Sequence, residues 1–163
     1  MALTTDRATP RQGGSQLAGK AAASATLWGG GMVAAKTDGY LAPAADTAGM
    51  VVAGVSAAKV DNSAGADGAK DVELWSFGIF ELAATSITQA MVGQVMYVVD
   101  DQTFDDVDPG NGIVAGILVE YVSTTKGRIF VAPYLGTLYL GVTAAELGFI
   151  DGAVAGTLTA SKA

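Results

Sequence analysis

Short apolar stretches alternate with Gly, Asp, Asn and Pro along most of this chain, beginning near Thr26. This pattern is typical of an all-β protein, because an extended strand points alternate side chains toward the core and toward solvent. We therefore predict a mainly β fold, a small barrel or sandwich with little helix. The predicted strands cover residues 31–35, 49–60, 71–82, 94–99, 112–123 and 128–132.

Two irregularities within these strands predict further detail. Between residues 72 and 80 the alternation changes phase beside Trp75, and Gly78 lies inside the run, which indicates a bulge or bend. Residues 52–55 (VAGV) and 114–117 (VAGI) are nearly identical, with a weaker copy, VAG, at 154–156. Either each strand needs a small residue where another backbone crosses closely, or the protein is a pseudo-symmetric barrel of two related halves.

The two ends of the chain differ from this β-rich body, which we place at residues 26–134. Residues 1–25 show no sustained period, so we predict an extended N-terminal arm. Residues 135–163 are apolar and rich in Gly, and form a C-terminal extension that the pattern does not assign. A single helical turn is predicted at 88–93, and a short helix near 143–149 is predicted from a capping-box sequence.

Charge is distributed unevenly along the chain, whose formal net charge is −7. The arm holds three basic residues and one acidic residue, whereas the remainder holds six basic and fifteen acidic residues. Nucleic acid is therefore a poor partner for the body. A basic arm beside an acidic body predicts that the arm contacts an acidic surface, such as a neighbouring copy.

The side chains that most enzymes use near neutral pH are missing, because the chain contains no His and no Cys. A serine nucleophile would lack its usual base, so we expect a protein that is not an enzyme and that needs no cofactor. No stretch is long and apolar enough to span a bilayer. We therefore expect a soluble protein, made in the cytoplasm, without a membrane partner.

Two motifs could still bind a ligand. Gly14, Gly19 and Lys20 match a phosphate-binding loop, but Ala21 stands where Ser or Thr would bind magnesium, and no apolar strand precedes the loop. The aspartates between residues 100 and 108 could bind calcium, although their spacing fits no EF-hand. A solvated acidic hairpin tip is the alternative that we favour, so no metal site is predicted.

Several segments resemble those of small tailed-phage proteins encoded beside the major head protein, the capsid decoration or cement proteins. The resemblance extends from residue 1 to about residue 131. Its most specific parts are residues 46–54 (DTAG-x-VVAG), 60–70 (VDN-x-x-G-A-x-G-x-K) and 88–103 (TQ-x-x-VG-x-x-x-YVVDDQT).

This resemblance implies a β-rich structural protein of the virion that binds the outside of an icosahedral head. Members of the family commonly form homotrimers and bridge neighbouring major capsid subunits, which stabilises the DNA-filled shell. The alternative is a receptor- or carbohydrate-binding β module displayed on the virion. The residues that we predict to contact the capsid or another subunit are Arg7, Arg11, Lys20, Trp28 and Trp75.

Overall fold

A computed structural model describes residues 2–9, 11–12 and 16–132, with the backbone alone for residues 11 and 12. A short 3-10 helix spans Gln89–Met91. The strands are β1 (Arg11–Gln12), β2 (Gln16–Lys20), β3 (Ala25–Leu27), β4 (Met32–Ala35), β5 (Leu41–Pro43), β6 (Val51–Ser56), β7 (Val60–Asn62), β8 (Asp71–Trp75), β9 (Gly78–Ala84), β10 (Val95–Val98), β11 (Thr103–Asp105), β12 (Val114–Ser123) and β13 (Lys126–Val131).

The second half of the described chain forms a barrel of five strands, which confirms the mainly β prediction. Strands β9, β11, β10, β12 and β13 follow one another around the barrel, and β13 pairs again with β9. The parallel pairing of β11 with β9, through Ala84 and Phe104, closes the ring. We call this unit the closed barrel. The two residues of β1 add to β9 outside the ring, opposite Ile79 and Phe80.

The first half repeats the same strand order with one weak seam. Strands β2, β8, β6, β4 and β5 form a second sheet, and a single parallel bridge between Ala21 and Leu41 joins its two ends. This bridge is equivalent to the Ala84–Phe104 pair, and it lies at the same offset along the chain. We call this unit the open barrel. Its strands β2, β4, β5, β6 and β8 correspond to β9, β10, β11, β12 and β13 of the closed barrel.

The repeated VAG sequences occupy equivalent places in the two barrels. Each lies at a shift of register, between β4 and β6 in one barrel and between β10 and β12 in the other. Gly54 has φ +152° and Gly116 has φ +159°. A Cβ would overlap the Trp75 carbonyl oxygen at the first glycine and the Phe130 carbonyl oxygen at the second. The close backbone approach is therefore confirmed for these two copies, and it occurs within two halves of the same topology.

The predicted strands agree with the structure except at their ends and breaks. The predicted strand 49–60 is wrong as one element, because the chain turns between β6 and β7. Likewise 71–82 divides into β8 and β9, and the break falls just before Gly78, where the irregular alternation indicated it. Strands β2, β3, β5 and β11 were not predicted, since they are short and rich in Ala, Gly or polar residues.

Two hydrophobic clusters fill the molecule, and the larger one belongs mainly to the closed barrel. It includes Phe80, Phe104 and Met96, all buried, and it extends onto the outer face of the open barrel at Met32 and Val52. The barrels therefore share one core across their contact. The smaller cluster fills the open barrel, and its buried members are Ala21, Leu27, Val33, Leu41, Val72 and Leu74.

Several predictions lie outside the described residues, namely the helix at 143–149, the third VAG copy, Gly14 and all of the C-terminal extension. The helical turn predicted at 88–93 is the 3-10 helix Gln89–Met91. Residues 11–12 and 16–20 of the predicted arm are extended and pair with β9 and β8 of the same chain. Gly19 and Lys20 therefore lie in a strand, a setting unlike that of a phosphate-binding loop.

The glycine contacts predict an unequal response to alanine substitution. Gly116→Ala should lower the free energy of unfolding by about 3 kcal/mol or more, because it adds a backbone overlap to an unfavourable φ. Gly39→Ala is the matched control, since Gly39 has φ +85° and a Cβ added there would meet no atom within 4 Å. It should cost only about 1 kcal/mol. Urea unfolding measures both, and equal losses would contradict the role of the close approach.

Candidate functional site

Residues 2–9 form a strap that lies across both barrels. The Leu3 backbone N–H donates to Asp101 Oδ1 at 3.0 Å, on the closed barrel. Further along, the Arg7 N–H donates to the Gly29 carbonyl at 3.0 Å, and Thr9 Oγ1 donates to the Gly30 carbonyl at 2.7 Å. These glycines lie just before β4 of the open barrel. The strap therefore joins the two halves through backbone and side-chain hydrogen bonds.

Gly30 allows the strap to lie directly against the body. Its φ is +81°, and a Cβ there would overlap the Arg7 carbonyl oxygen. Both observations require a residue without a side chain. Composition alone did not indicate this requirement for glycine at position 30.

Arg7 fastens the strap to the closed barrel. Its guanidinium donates to the carbonyls of Gln102, at 3.2 Å, and Glu81, at 3.1 Å. Burial lowers the pKa of Arg7, and the nearby Glu81 carboxylate acts in the opposite direction. Because the guanidinium is half-buried and bonded within its own chain, Arg7 stabilises the fold rather than offering an open cationic surface.

Asp101 bonds both to the start of the strap and to the start of β4 in the open barrel. Its side chain is buried, and its backbone carbonyl accepts from the Met32 N–H at 2.6 Å. Burial raises the pKa of Asp101; the hydrogen bond from Leu3 opposes this shift, and the Asp100 charge adds to it. Asp101 thus holds the strap through its buried carboxylate and the open barrel through its backbone carbonyl.

A cavity of about 530 Å³ opens beside the strap. Its lining is mixed, with Asp6, Arg7 and Lys59 contributing charge and Trp75 and Phe80 contributing aromatic surface. At its rim, Lys59 Nζ lies 4.0 Å from the centre of the Trp28 ring, within cation–π range. We call this pair the Trp28–Lys59 patch. Lys59 is exposed and Trp28 is partly exposed, so both side chains are available to a partner.

The structure brings together some of the predicted contact residues. Arg7 and Trp75 line the same cavity, and Trp28 adjoins it through Lys59. Trp75 also packs against the larger core cluster. Lys20 takes no part in this cavity's lining; its Nζ lies 2.6 Å from Asp71 Oδ1, and both side chains are exposed. Arg11 pairs through its backbone with Phe80, and its side chain is not described.

Two residues of this site escaped the sequence analysis. Lys59 stands in an unremarkable stretch, and no pattern indicates that it covers Trp28. Asp101 belongs to the acidic cluster that we examined for calcium binding, but nothing in the sequence distinguishes it from its neighbours. Asp101 lies in the bend between β10 and β11, and its burial depends on how that hairpin packs, which the sequence alone does not give.

The acidic loop bonds mainly to its own backbone. Asp108 Oδ1 accepts from the N–H groups of Gly110 and Gly112, both at 2.9 Å, and Asp105 Oδ1 accepts from the Asp106 N–H at 2.8 Å. Within residues 2–9, 11–12 and 16–132, no group of three or more acidic side chains is arranged to hold a metal ion. These bonds fit an acidic hairpin tip shaped by Asx turns.

Comparisons of the chain with protein-family models, with curated proteins and with solved structures find no match in any of the three. Among the described residues, no helix has the length and apolar character needed to cross a membrane. The function is therefore argued below from the residues and their geometry.

Removing the Arg7 guanidinium tests the strap. Arg7→Met keeps much of the aliphatic stem but removes the donors to the Gln102 and Glu81 carbonyls. We expect the free energy of unfolding to fall by about 2 kcal/mol, because hydrogen bonds from a charged group to partly buried acceptors are lost. Lys20→Met is the control and should change stability little, since its ion pair is exposed. Similar losses in denaturant melts would contradict this role.

The buried carboxylate predicts a pH-dependent stability. Because burial raises the pKa of Asp101 in the folded state, folding holds its proton more tightly. Its contribution to stability therefore falls as the pH rises from 3.8, its ordinary value, through the raised pKa. Asp101→Asn keeps an oxygen acceptor for Leu3 but removes the charge. The variant should gain melting temperature relative to the wild type at pH 7 and lose that advantage below about pH 3.8. A difference that stays constant with pH would contradict the assignment.

Proposed function

We propose that this chain is a capsid decoration protein of a tailed phage, which binds the outer surface of the head and bridges neighbouring major capsid subunits. The observation that carries the proposal is where the three family-like segments fall in the fold. They form the framework of the double barrel rather than a reactive site. Similarity confined to a framework is typical of a structural protein.

Each segment supplies one element of that framework. Residues 46–54 contain the start of β6 and the glycine at its bulge. Residues 60–70 contain Asn62, whose buried side-chain amide donates to the carbonyls of Ala22 at 2.7 Å and Ala66 at 2.9 Å. Residues 88–103 contain the 3-10 helix, β10 and the Asp101 anchor. The polar groups in these segments hold the chain to itself.

A strapped double barrel suits a fastener on a lattice. The strap and the shared core join the two halves, so a load applied to one barrel passes to the other. A rigid body that binds only the assembled shell stabilises it by mass action, because its binding energy is lost when subunits separate. Trimers would add avidity through simultaneous contacts. None of these effects requires a catalytic side chain.

We place the centre of the capsid contact at the Trp28–Lys59 patch. Aromatic and long cationic side chains dominate many interfaces, because they bury a large area and keep a polar end for hydrogen bonding. The patch lies beside the strap, whose own cation Arg7 is already bonded internally. Deletion of residues 2–20 would remove both the strap and β2, so point substitutions are the sharper test.

Binding to heads that lack this protein tests the proposal. Wild-type protein should co-sediment in stoichiometric amounts and raise the temperature of capsid rupture. Trp28→Ala should weaken binding about tenfold or more, as expected for a central interface aromatic, and Lys59→Ala should have a smaller effect in the same direction. Lys36→Ala is the matched control. Lys36 forms an exposed ion pair with Asp38, and it belongs neither to the Trp28–Lys59 patch nor to the lining of the adjacent cavity.

The outcomes test the proposed function and the proposed contact surface separately. Failure of the wild-type protein to bind heads would overturn the proposed function. Full binding by the Trp28 variant would reject the patch while leaving decoration intact. Analytical ultracentrifugation adds the oligomeric state, and a monomer at micromolar concentration would argue against trimers formed before binding.

A receptor- or carbohydrate-binding module is the second candidate, and the cavity beside the strap favours it. Its lining includes Asp6, Lys59 and Trp75, a combination of charged and aromatic residues that suits a polar ligand. A carbohydrate array probed with wild-type protein tests this function. Specific binding that is lost in Lys59→Ala would favour it, and an array without binding would exclude the glycans that it displays.

A further inference from the structure

A further contact joins the two barrels, and it forms between equivalent loops. Asp46 lies in the loop from β5 to β6 of the open barrel, and Asn111 lies in the loop from β11 to β12 of the closed barrel. The Asn111 side-chain amide donates to Asp46 Oδ2 at 3.1 Å and to the Asp46 carbonyl at 3.0 Å. The Asn111 backbone N–H donates to Asp46 Oδ1 at 3.1 Å. We call this pair the Asp46–Asn111 clamp.

Asn111 is the one asparagine in the sequence that is followed by glycine. The side-chain amide carbon of an asparagine is open to attack by the backbone nitrogen of the next residue, and asparagine is thermolabile for this reason. Glycine leaves that nitrogen unshielded, because it has no Cβ. Asn111 is also exposed and lies on a loop. The other asparagine, Asn62, is followed by Ser63 and is 1% exposed.

Both groups that would react are engaged in hydrogen bonds in the folded chain. The Asn111 Nδ2 donates twice to Asp46, and the Gly112 N–H donates to Asp108 Oδ1 at 2.9 Å. Cyclisation expels Nδ2 as ammonia and takes the proton from the Gly112 nitrogen, so it breaks all three of these bonds. The fold therefore opposes a reaction that the unfolded chain permits, and the rate depends on how often the clamp opens.

We propose that Asn111 is a self-modification site, which deamidates when the Asp46–Asn111 clamp opens and thereafter cannot close the clamp again. The Gly112 nitrogen forms a bond to Asn111 Cγ, and the bond from Cγ to Nδ2 breaks. The proton of the Gly112 N–H passes through water to the departing nitrogen, which leaves as ammonia. Water then hydrolyses the cyclic imide at either of its carbonyl carbons, which gives aspartate or isoaspartate. The reaction consumes water and needs no oxidant or reductant.

The product cannot remake the contact between the barrels. A carboxylate at position 111 has no amide hydrogen to donate to Asp46, and it stands where the original nitrogen lay 3.1 Å from the Asp46 carboxylate. Two negative charges this close repel each other. Isoaspartate also lengthens the main chain by a methylene group, which displaces the loop. Modification therefore replaces an attraction between the two barrels with a repulsion.

Mass spectrometry of the full chain during prolonged incubation in mildly alkaline buffer tests this proposal. Asn111 should deamidate about tenfold or more slowly in the native protein than in the same chain unfolded in urea, because the clamp is mostly closed. Asp46→Ala should bring the native rate close to the unfolded rate. Asp38→Ala is the matched control, since it removes an exposed ion pair with Lys36, and it should leave the rate unchanged. Equal rates in native and unfolded wild-type protein, or an unchanged rate in Asp46→Ala, would overturn the proposal.

Asn62 reports whether Asp46→Ala acts locally or by unfolding the chain. Its buried amide is bonded to the carbonyls of Ala22 and Ala66, so it should stay intact while Asn111 is modified. If Asn62 in this variant deamidates as fast as it does in urea, the variant is unfolded and the role of the clamp is rejected.

The effect of the modification is measured on Asn111→Asp, which carries the charge of the product. At neutral pH it should melt a few degrees lower than Asn111→Ser, which lacks both the amide and the charge. The difference should shrink in acid, where protonation of the two carboxylates removes their repulsion. Coincident melting temperatures of the two variants at neutral pH would contradict the loss of the contact.

Discussion

The close passage of a bent strand over its neighbour's backbone is the constraint on which both barrels depend. At Gly54 and at Gly116 the strand shifts register and approaches a carbonyl oxygen of the next strand so closely that no side chain fits between them. A five-stranded ring is too narrow to close with regular strands alone, so bends of this kind are required. The same bend, with the same sequence VAG, occurs once in each half.

The two halves differ in the size of their core side chains and in how completely their strands are paired. The closed barrel is filled by large side chains and sealed by a parallel strand pair, whereas the open barrel keeps its ring through one bridge. The strap and the shared core compensate for this weaker half by tying it to the stronger one. The partly exposed Trp28–Lys59 patch lies in the first half of the described chain, which contains the open barrel.

The sequence predicted the fold class well because alternation is a local property of strands. It also located the break before Gly78. For the VAG repeat, a barrel of two related halves was one of the two interpretations. The short strands β2, β3 and β5 were missed, because Ala and Gly carry too little hydrophobic contrast to show a period. The site was less accessible. Arg7 was identified as a contact residue from its charge, yet charge does not reveal that the guanidinium bonds to carbonyls of Glu81 and Gln102. Lys59 and Asp101 acquire their roles only through distant pairings.

The strap also has a consequence for the order in which the chain can fold. Leu3 bonds to a residue 98 positions later, and the Arg7 guanidinium bonds to one 95 positions later. During synthesis residues 3 and 7 leave the ribosome long before those partners exist, so these two bonds cannot form until the hairpin of β10 and β11 has emerged. Contacts of such high sequence separation form slowly, since a long loop must close first. The strap is therefore completed only after the hairpin of β10 and β11 is available, so its full set of bonds requires residues from both barrels.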